Sequence, residues 1–207
     1  MMNSPHLPLP EKMPVMALRG VTLFPNALVP LYIFEPRYRA MLASVLAGDR
    51  IFAVGMVRPD TGEENIFPVA GAGLVRACVE QPDGTSQLIL QGVGRVRFDT
   101  FAQTEPFLIG HTSPVETTDD QPETCQQLHR EMQDFCVSLV SRGVELPEAF
   151  IKAAGETEDS ALLGDLLAQH LVRDPLSAQE VLTENRLARR LQSLLKILRR
   201  EWQQFDG

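Results

Sequence analysis

Three cysteines and four histidines, with Lys12, Lys152 and Lys196, are the side chains on which metal, nucleophilic or proton-transfer chemistry could be built in this 207-residue chain. Cys78, Cys125 and Cys136 are odd in number and form no C-x-x-C pair, which argues against a disulfide framework and a Cys-rich zinc site. Cys125 and His129 stand one helical turn apart, but Cys125 falls on an apolar stripe, where a thiol acts as a small hydrophobe. His129-Arg130-Glu131 matches the H-x-E of zinc deaminases without the P-C-x-x-C that supplies their remaining ligands. No metal and no cofactor are expected. No lysine follows a glycine, so the GxxxxGK[ST] phosphate loop is absent. No G-x-S-x-G nucleophile elbow occurs either, and no lysine has a context that would depress its pKa for a Ser–Lys pair. The expectation is that no residue is catalytic. The rival reading is a hydrolase with His111 or His129 as base, which requires a nucleophile within hydrogen-bond reach of one of them.

A different chemistry is carried by Val21-Thr22-Leu23-Phe24-Pro25-Asn26-Ala27-Leu28-Val29-Pro30-Leu31-Tyr32-Ile33-Phe34. This run is apolar on both alternating faces. It is either a strand buried on both sides or, in part, a sticky surface for apolar segments of another polypeptide. Phe24, Pro25, Leu28, Tyr32 and Phe34 are the candidate binding residues. The following Glu35-Pro36-Arg37-Tyr38 reads as a helix start that ties helix to sheet.

These residues need elements to position them. Residues 1–12 hold three prolines and read as a mobile tail. From 13 to 115, short apolar runs are broken by Gly, Pro, Asp and Asn, the pattern of strands and turns. Strands are expected at 14–18, 29–34, 51–57, 73–80, 86–92, 95–101 and 107–114, with Pro82-Asp83-Gly84-Thr85 as a hairpin turn. Gly71-Ala72-Gly73 and Gly92-Val93-Gly94 read as bulges or close backbone approaches. One helix is inserted, 36–47, opened by Pro36 and closed by Gly48, with Glu35 placed to meet Arg39 one turn on.

Residues 116–124 read as a polar linker, after which the period becomes helical. Cys125, Leu128, Met132, Phe135 and Leu139 draw one stripe. Helical segments follow at 147–154 and 160–172. Ser177-Ala178-Gln179-Glu180 reads as a capping box opening one long helix to Phe205. Residues 125–207 therefore form a helical subdomain of four helices. The last helix can pack inside it or pair with a second copy, which permits a homo-oligomer. The fold class is α+β: a β-rich barrel or folded sheet with one inserted helix, then a helical bundle.

The net charge of −8 argues against nucleic acid and anionic membrane as partners. No stretch approaches the ~20 apolar residues of a membrane-spanning helix. The opening MMNSPHLPLPEK lacks a basic region followed by a long apolar one, so a cytoplasmic location is expected.

Leu18-Arg19, Phe24-Pro25, Pro30-Leu31 and Ile33-Phe34-Glu35-Pro36-Arg37-Tyr38 resemble the N-terminal substrate-binding domain of the ATP-dependent protease Lon, and most of all its free-standing bacterial relatives. Gly94-Arg95 looks like the glycine-arginine strand of that family. Asp165-Leu166-Leu167-Ala168 and Gln179-Glu180-Val181-Leu182 look like its helical portion. The resemblance runs from about 14 to 202. It implies a PUA-like β-rich subdomain followed by helices, without the ATPase and Ser–Lys protease modules. The implied function is ATP-independent binding of unfolded or partner polypeptide, as an adaptor or regulator. RNA binding is the fold-level alternative and needs a basic patch, with Arg95 and Arg97 as its candidates.

Overall fold

The computed structural model describes residues 8–62 and 65–203. The chain divides into two compact units, Met1–Val115 and Glu116–Gly207. His6, most of the expected tail and Phe205 lie outside the described residues.

The first unit is built on a six-stranded mixed sheet. Its strands are β1 (Lys12–Leu18), β2 (Leu28–Ile33), β3 (Ile51–Met56), β4 (Val69–Glu80), β5 (Ser86–Gln103) and β6 (Leu108–Pro114). The order is β2-β5-β4-β3-β1-β6, and β6 also pairs with the second half of β5, so the ladder returns to β5. Only β1 and β3 run parallel. The two strands expected at 86–92 and 95–101 are one strand, β5, long enough to pair with β2, β4 and β6 along its length.

At the glycine pairs the β4–β5 register shifts, Ala72 pairing with Gly94 and Gly73 with Gly92, and another segment comes close. A Cβ at Gly71 would strike the Leu23 carbonyl, and one at Gly92 would strike the Phe24 carbonyl. The 23–25 backbone therefore lies directly across β4 and β5, and glycine is what allows that approach. Asn26 holds φ 64° in the turn that follows, and its N–H donates to the Gly92 carbonyl at 2.8 Å. Asparagine is among the residues that tolerate this left-handed conformation. Met13, Val15, Ala53, Ala70, Val96 and Phe98 share the buried core.

Helix α1 (Pro36–Ala47) starts with Pro36 at its first turn and buries Tyr38, Met41, Leu42 and Val45. The pairing expected between Glu35 and Arg39 does not form. Glu35 instead holds Arg37 at 2.7 Å, and the Arg39 guanidinium packs on Gly84 of the β4–β5 hairpin.

The second unit holds α2 (Pro122–Ser141), α3 (Glu148–Glu156), α4 (Ser160–Leu171), α5 (Pro175–Thr183) and α6 (Leu187–Trp202). The single long helix expected from Ser177 is two helices, broken at 184–186. Ser177 does not cap it. The cap is Asp174, whose carboxylate accepts from the Ser177 N–H at 2.8 Å and from its hydroxyl at 2.7 Å, with Pro175 opening the first turn. The break is stabilised by the segment read as a polar linker. The Thr118 N–H donates to the Asn185 carbonyl, and the Leu187 N–H donates to the Thr118 carbonyl at 2.9 Å. Arg190, almost fully buried, donates to Thr117 Oγ1 and to the Glu184 carbonyl, both at 3.3 Å. The apolar stripe of α6, including Leu191, Leu194, Leu195 and Leu198, is buried inside this unit.

Candidate functional site

Strand β2 alternates. Val29 and Leu31 are half-buried and Ile33 is buried, whereas Leu28, Pro30 and Tyr32 face out. The register with β5 places Pro30 opposite Ile89 and Tyr32 opposite Gln87. The next register, β5 with β4, places Ile89 opposite Ala77 and Gln87 opposite Val79. Two cross-strand rows therefore form on one sheet face, Pro30–Ile89–Ala77 and Tyr32–Gln87–Val79. Leu28 is 62% exposed, Tyr32 52%, Phe34 57% and Val79 60%. Phe34 lies just past β2, and its ring stacks on Tyr32 with 5.7 Å between centroids.

The rows border an open cleft of about 360 Å³, lined by Pro30, Leu31, Tyr32, Ala77, Val79, Gln87, Leu88 and Ile89, none of them charged. Tyr32 and Gln87 also line an adjoining polar cleft that reaches Asp83 and Thr85 at the hairpin. Asp83 is held below the usual carboxylate range, chiefly by accepting from the Thr85 N–H and hydroxyl, so it stays ionised at the rim. An uncharged, aromatic-rich face of this kind gains free energy by covering apolar side chains of another molecule, at roughly 25 cal/mol per Å² removed from water.

Strand β2 lies at the edge of the sheet. Pro30 sits at the middle of that edge, a position where a missing N–H is tolerated and where it interrupts any further ladder.

The structure separates the residues proposed from sequence. Leu28, Tyr32 and Phe34 lie on this face. Pro25 is half-buried in the turn before it. Phe24 is 0% exposed. Its ring lies in the interior, with the Arg95 guanidinium 6.0 Å from its centroid, so it is a core residue and offers no binding surface. Arg95 is buried with it and so cannot join Arg97 in the basic patch that the RNA reading requires. Glu35, Pro36, Arg37 and Tyr38 stand at the start of α1. The Tyr38 hydroxyl donates to the Ala17 carbonyl of β1 at 2.8 Å in a buried setting, and Arg37 lies 4.4 Å over the Tyr38 ring.

Sequence reasoning missed Val79 and Ile89. Both were placed in expected strands, Val79 beside polar Glu80 but Ile89 inside the apolar run Leu88-Ile89-Leu90, where alternation does not single it out. That they join β2 depends on a β2–β5 pairing between strands distant in sequence, which no local pattern encodes.

The rival catalytic reading meets one contact. Ser160 Oγ lies 3.2 Å from His129 Nδ1, between the start of α4 and the middle of α2. Among the described residues no carboxylate hydrogen-bonds to this imidazole, so the orienting partner of a triad is missing. His111 in β6 has no such neighbour among them. Cys125 and Cys136 are pushed up to about 11, Cys125 by burial and by its S–H bond to Asp119, Cys136 by burial. Both are poor nucleophiles for that reason. Among the described residues no three His, Cys, Asp or Glu side chains converge on a metal position, and no helix is long and apolar enough to cross a membrane.

Comparison with known proteins agrees with this architecture. The chain is 29% identical to the Lon protease of Desulfovibrio desulfuricans over 188 residues, which are 87% of this chain and 21% of that protein. It is 23% identical to the Lon protease of Dictyoglomus thermophilum over 93% of this chain and 25% of that protein. The chain thus spans about a quarter or less of the length of these relatives. Among solved structures, the N-terminal domain of Mycobacterium avium complex Lon protease superposes with a TM-score of 0.73 at 15% identity, covering 90% of this chain and 97% of that one. A Lon N-terminal domain protein from Xanthomonas campestris gives a TM-score of 0.65 at 20% identity, covering 89% and 97%. The sequence profile of the family described as ATP-dependent protease La (LON) substrate-binding domain matches residues 12–200, and the chain belongs to that family.

Proposed function

We propose that this chain binds unfolded or partner polypeptide through the sheet face of Leu28, Pro30, Tyr32, Phe34, Val79 and Ile89. It acts in the cytoplasm as an adaptor or regulator of protein quality control, without ATP hydrolysis or peptide cleavage of its own. The observation that carries this reading is the uncharged cleft beside an exposed aromatic pair, in a family named for substrate binding. Three free cysteines support a reducing compartment. The buried Arg95 speaks against RNA as the ligand, because a phosphate backbone needs accessible cations.

The test is fluorescence anisotropy of a labelled, permanently unfolded polypeptide titrated with the protein, without ATP, at low and moderate salt. Saturable binding that persists as salt rises is expected. Tyr32→Ser and Ile89→Ser should each weaken it by about tenfold, with unfolding midpoints little changed. Phe24→Ala should instead lower stability, by about 3–5 kcal/mol. Absence of binding at high micromolar protein, or binding indifferent to Tyr32 and Ile89, would end the proposal.

A further inference from the structure

The helical unit is acidic, with 17 acids against 10 bases in residues 116–207. Its α6 is the reverse. The exposed positions of α6 and of the residue after it are Arg189, Gln192, Lys196, Arg199, Arg200 and Gln203, and none is acidic. The one acid of this helix, Glu201, is turned away and accepts from the Arg173 and Asp174 backbone N–H groups. At helical spacing the exposed residues form one continuous stripe, with Arg189 at its start, Lys196 in its middle and Arg199 and Arg200 before its end at Gln203.

The stripe borders a cleft. Leu128 and Glu131 of α2 and Leu195, Lys196, Arg199 and Arg200 of α6 line a space of about 480 Å³. Leu128 and Leu195 are buried and make its floor apolar. Glu131 is engaged by Arg199 at 2.8 Å. Arg200 donates to the Ser177 hydroxyl at 3.1 Å, which in turn donates to the Asp174 carboxylate, so the Arg200 charge is offset in part by Asp174 through that hydroxyl. Lys196 is exposed and has no hydrogen-bond or ion-pair partner among the described residues. The cleft lining thus carries three cations and one carboxylate over an aliphatic floor, Arg199 being paired with Glu131, Arg200 offset in part by Asp174 and Lys196 unpaired among the described residues, on a unit whose net charge has the opposite sign.

We propose that this α2–α6 cleft docks an acidic polypeptide segment of a partner protein, with an aliphatic side chain on the Leu128–Leu195 floor and carboxylates against Lys196 and Arg200. The site is separate from the sheet face and takes the opposite kind of ligand. The face gathers uncharged apolar chain. The cleft reads charge first, which favours fast, salt-sensitive and partner-selective association. The apolar floor distinguishes a peptide from a polyphosphate backbone, which has no aliphatic group to place there.

The probe is a labelled 15-residue peptide of Glu and Leu in which the leucines recur at helical spacing, titrated by anisotropy with the full chain. Comparison arms are the same peptide with Leu→Ser, the same peptide with Glu→Lys, and a single-stranded oligonucleotide of equal charge. The expected result is saturable binding of the Glu/Leu peptide that weakens as salt rises. Both altered peptides should bind at least about tenfold more weakly, and Lys196→Glu should weaken the Glu/Leu peptide by about tenfold. Lys196 has no partner to lose, so that variant keeps its fold, and unchanged helicity and Trp202 fluorescence verify this. Arg200→Gln serves as the second variant. Tyr32→Ser should leave this peptide unaffected. The proposal is overturned by lack of saturable binding, by indifference to Lys196→Glu, or by an oligonucleotide that binds as tightly as the peptide. It is also overturned if the stripe is covered by a second copy, seen as self-association in sedimentation that Lys196→Glu abolishes. Because the readouts use different variants and opposite salt responses, failure here leaves the sheet-face result standing, and the reverse.

Discussion

The residues that make the Glu-Pro-Arg-Tyr string conspicuous work as a joint. The Tyr38 hydroxyl is buried and donates to the Ala17 carbonyl of β1, tying α1 to the sheet. Tyr38→Phe keeps the ring and the cation–π contact with Arg37 but removes that hydrogen bond. It should cost about 1–2 kcal/mol in urea unfolding and leave polypeptide affinity unchanged. The thiols give a second residue-scale expectation. Cys125 and Cys136 sit near 11 and are buried, whereas Cys78 is partly exposed. Treatment of the folded chain with iodoacetamide at pH 8 should therefore label Cys78 first, with the other two labelled only on unfolding, as intact-mass spectrometry would record.

Elements were legible where the pattern is local. The inserted helix, announced by Pro36 and Gly48, runs from Pro36 to Ala47 as read. The turn at Pro82-Asp83-Gly84-Thr85 forms with Gly84 at φ 77°. The reading failed where a distant segment decides. The α5–α6 break carries no glycine or proline, and Glu184-Asn185-Arg186 can continue a helix. It ends there because Thr118 from before α2 bonds to both sides of it and Arg190 is buried against Thr117. The candidate site divided the same way. The run 21–34 is apolar on both faces, so the sequence grouped Phe24 with Leu28 and Tyr32; the fold turns Leu28 and Tyr32 outward and buries Phe24 beneath Arg95. The true cap of α5 yields a pH prediction. The Ser177 hydroxyl and N–H hold the Asp174 carboxyl below its ordinary 3.8. A depressed carboxylate stabilises the fold above its unfolded pKa and loses that contribution as pH falls through the folded value. Asp174→Ala should therefore cost about 1 kcal/mol at pH 7 in urea unfolding. Its difference from the parent should shrink below about pH 4.

At the scale of the molecule, the two units divide the labour that the proposals describe. One offers an uncharged sheet face, the other a cationic cleft on an acidic body. We propose that the units are separable in the way their composition suggests. Residues 1–115, expressed alone, should give a dispersed amide spectrum by NMR and retain the Tyr32-dependent binding of unfolded polypeptide. They should not bind the Glu/Leu peptide. Loss of both folding and binding in this fragment would mean that the sheet depends on the helical unit.

Pro30 gives the sheet face a further property. A protein that collects unfolded chains holds, at high local concentration, the material from which fibrils grow. An open edge strand beside an apolar surface would be an ideal first rung, aligning each captured segment for the next. With proline at the middle of β2, a captured segment finds side chains to rest on but no unbroken run of backbone donors to copy. Under the proposed function, capture would thereby be uncoupled from templating, and a held chain would leave in the same unfolded state in which it arrived.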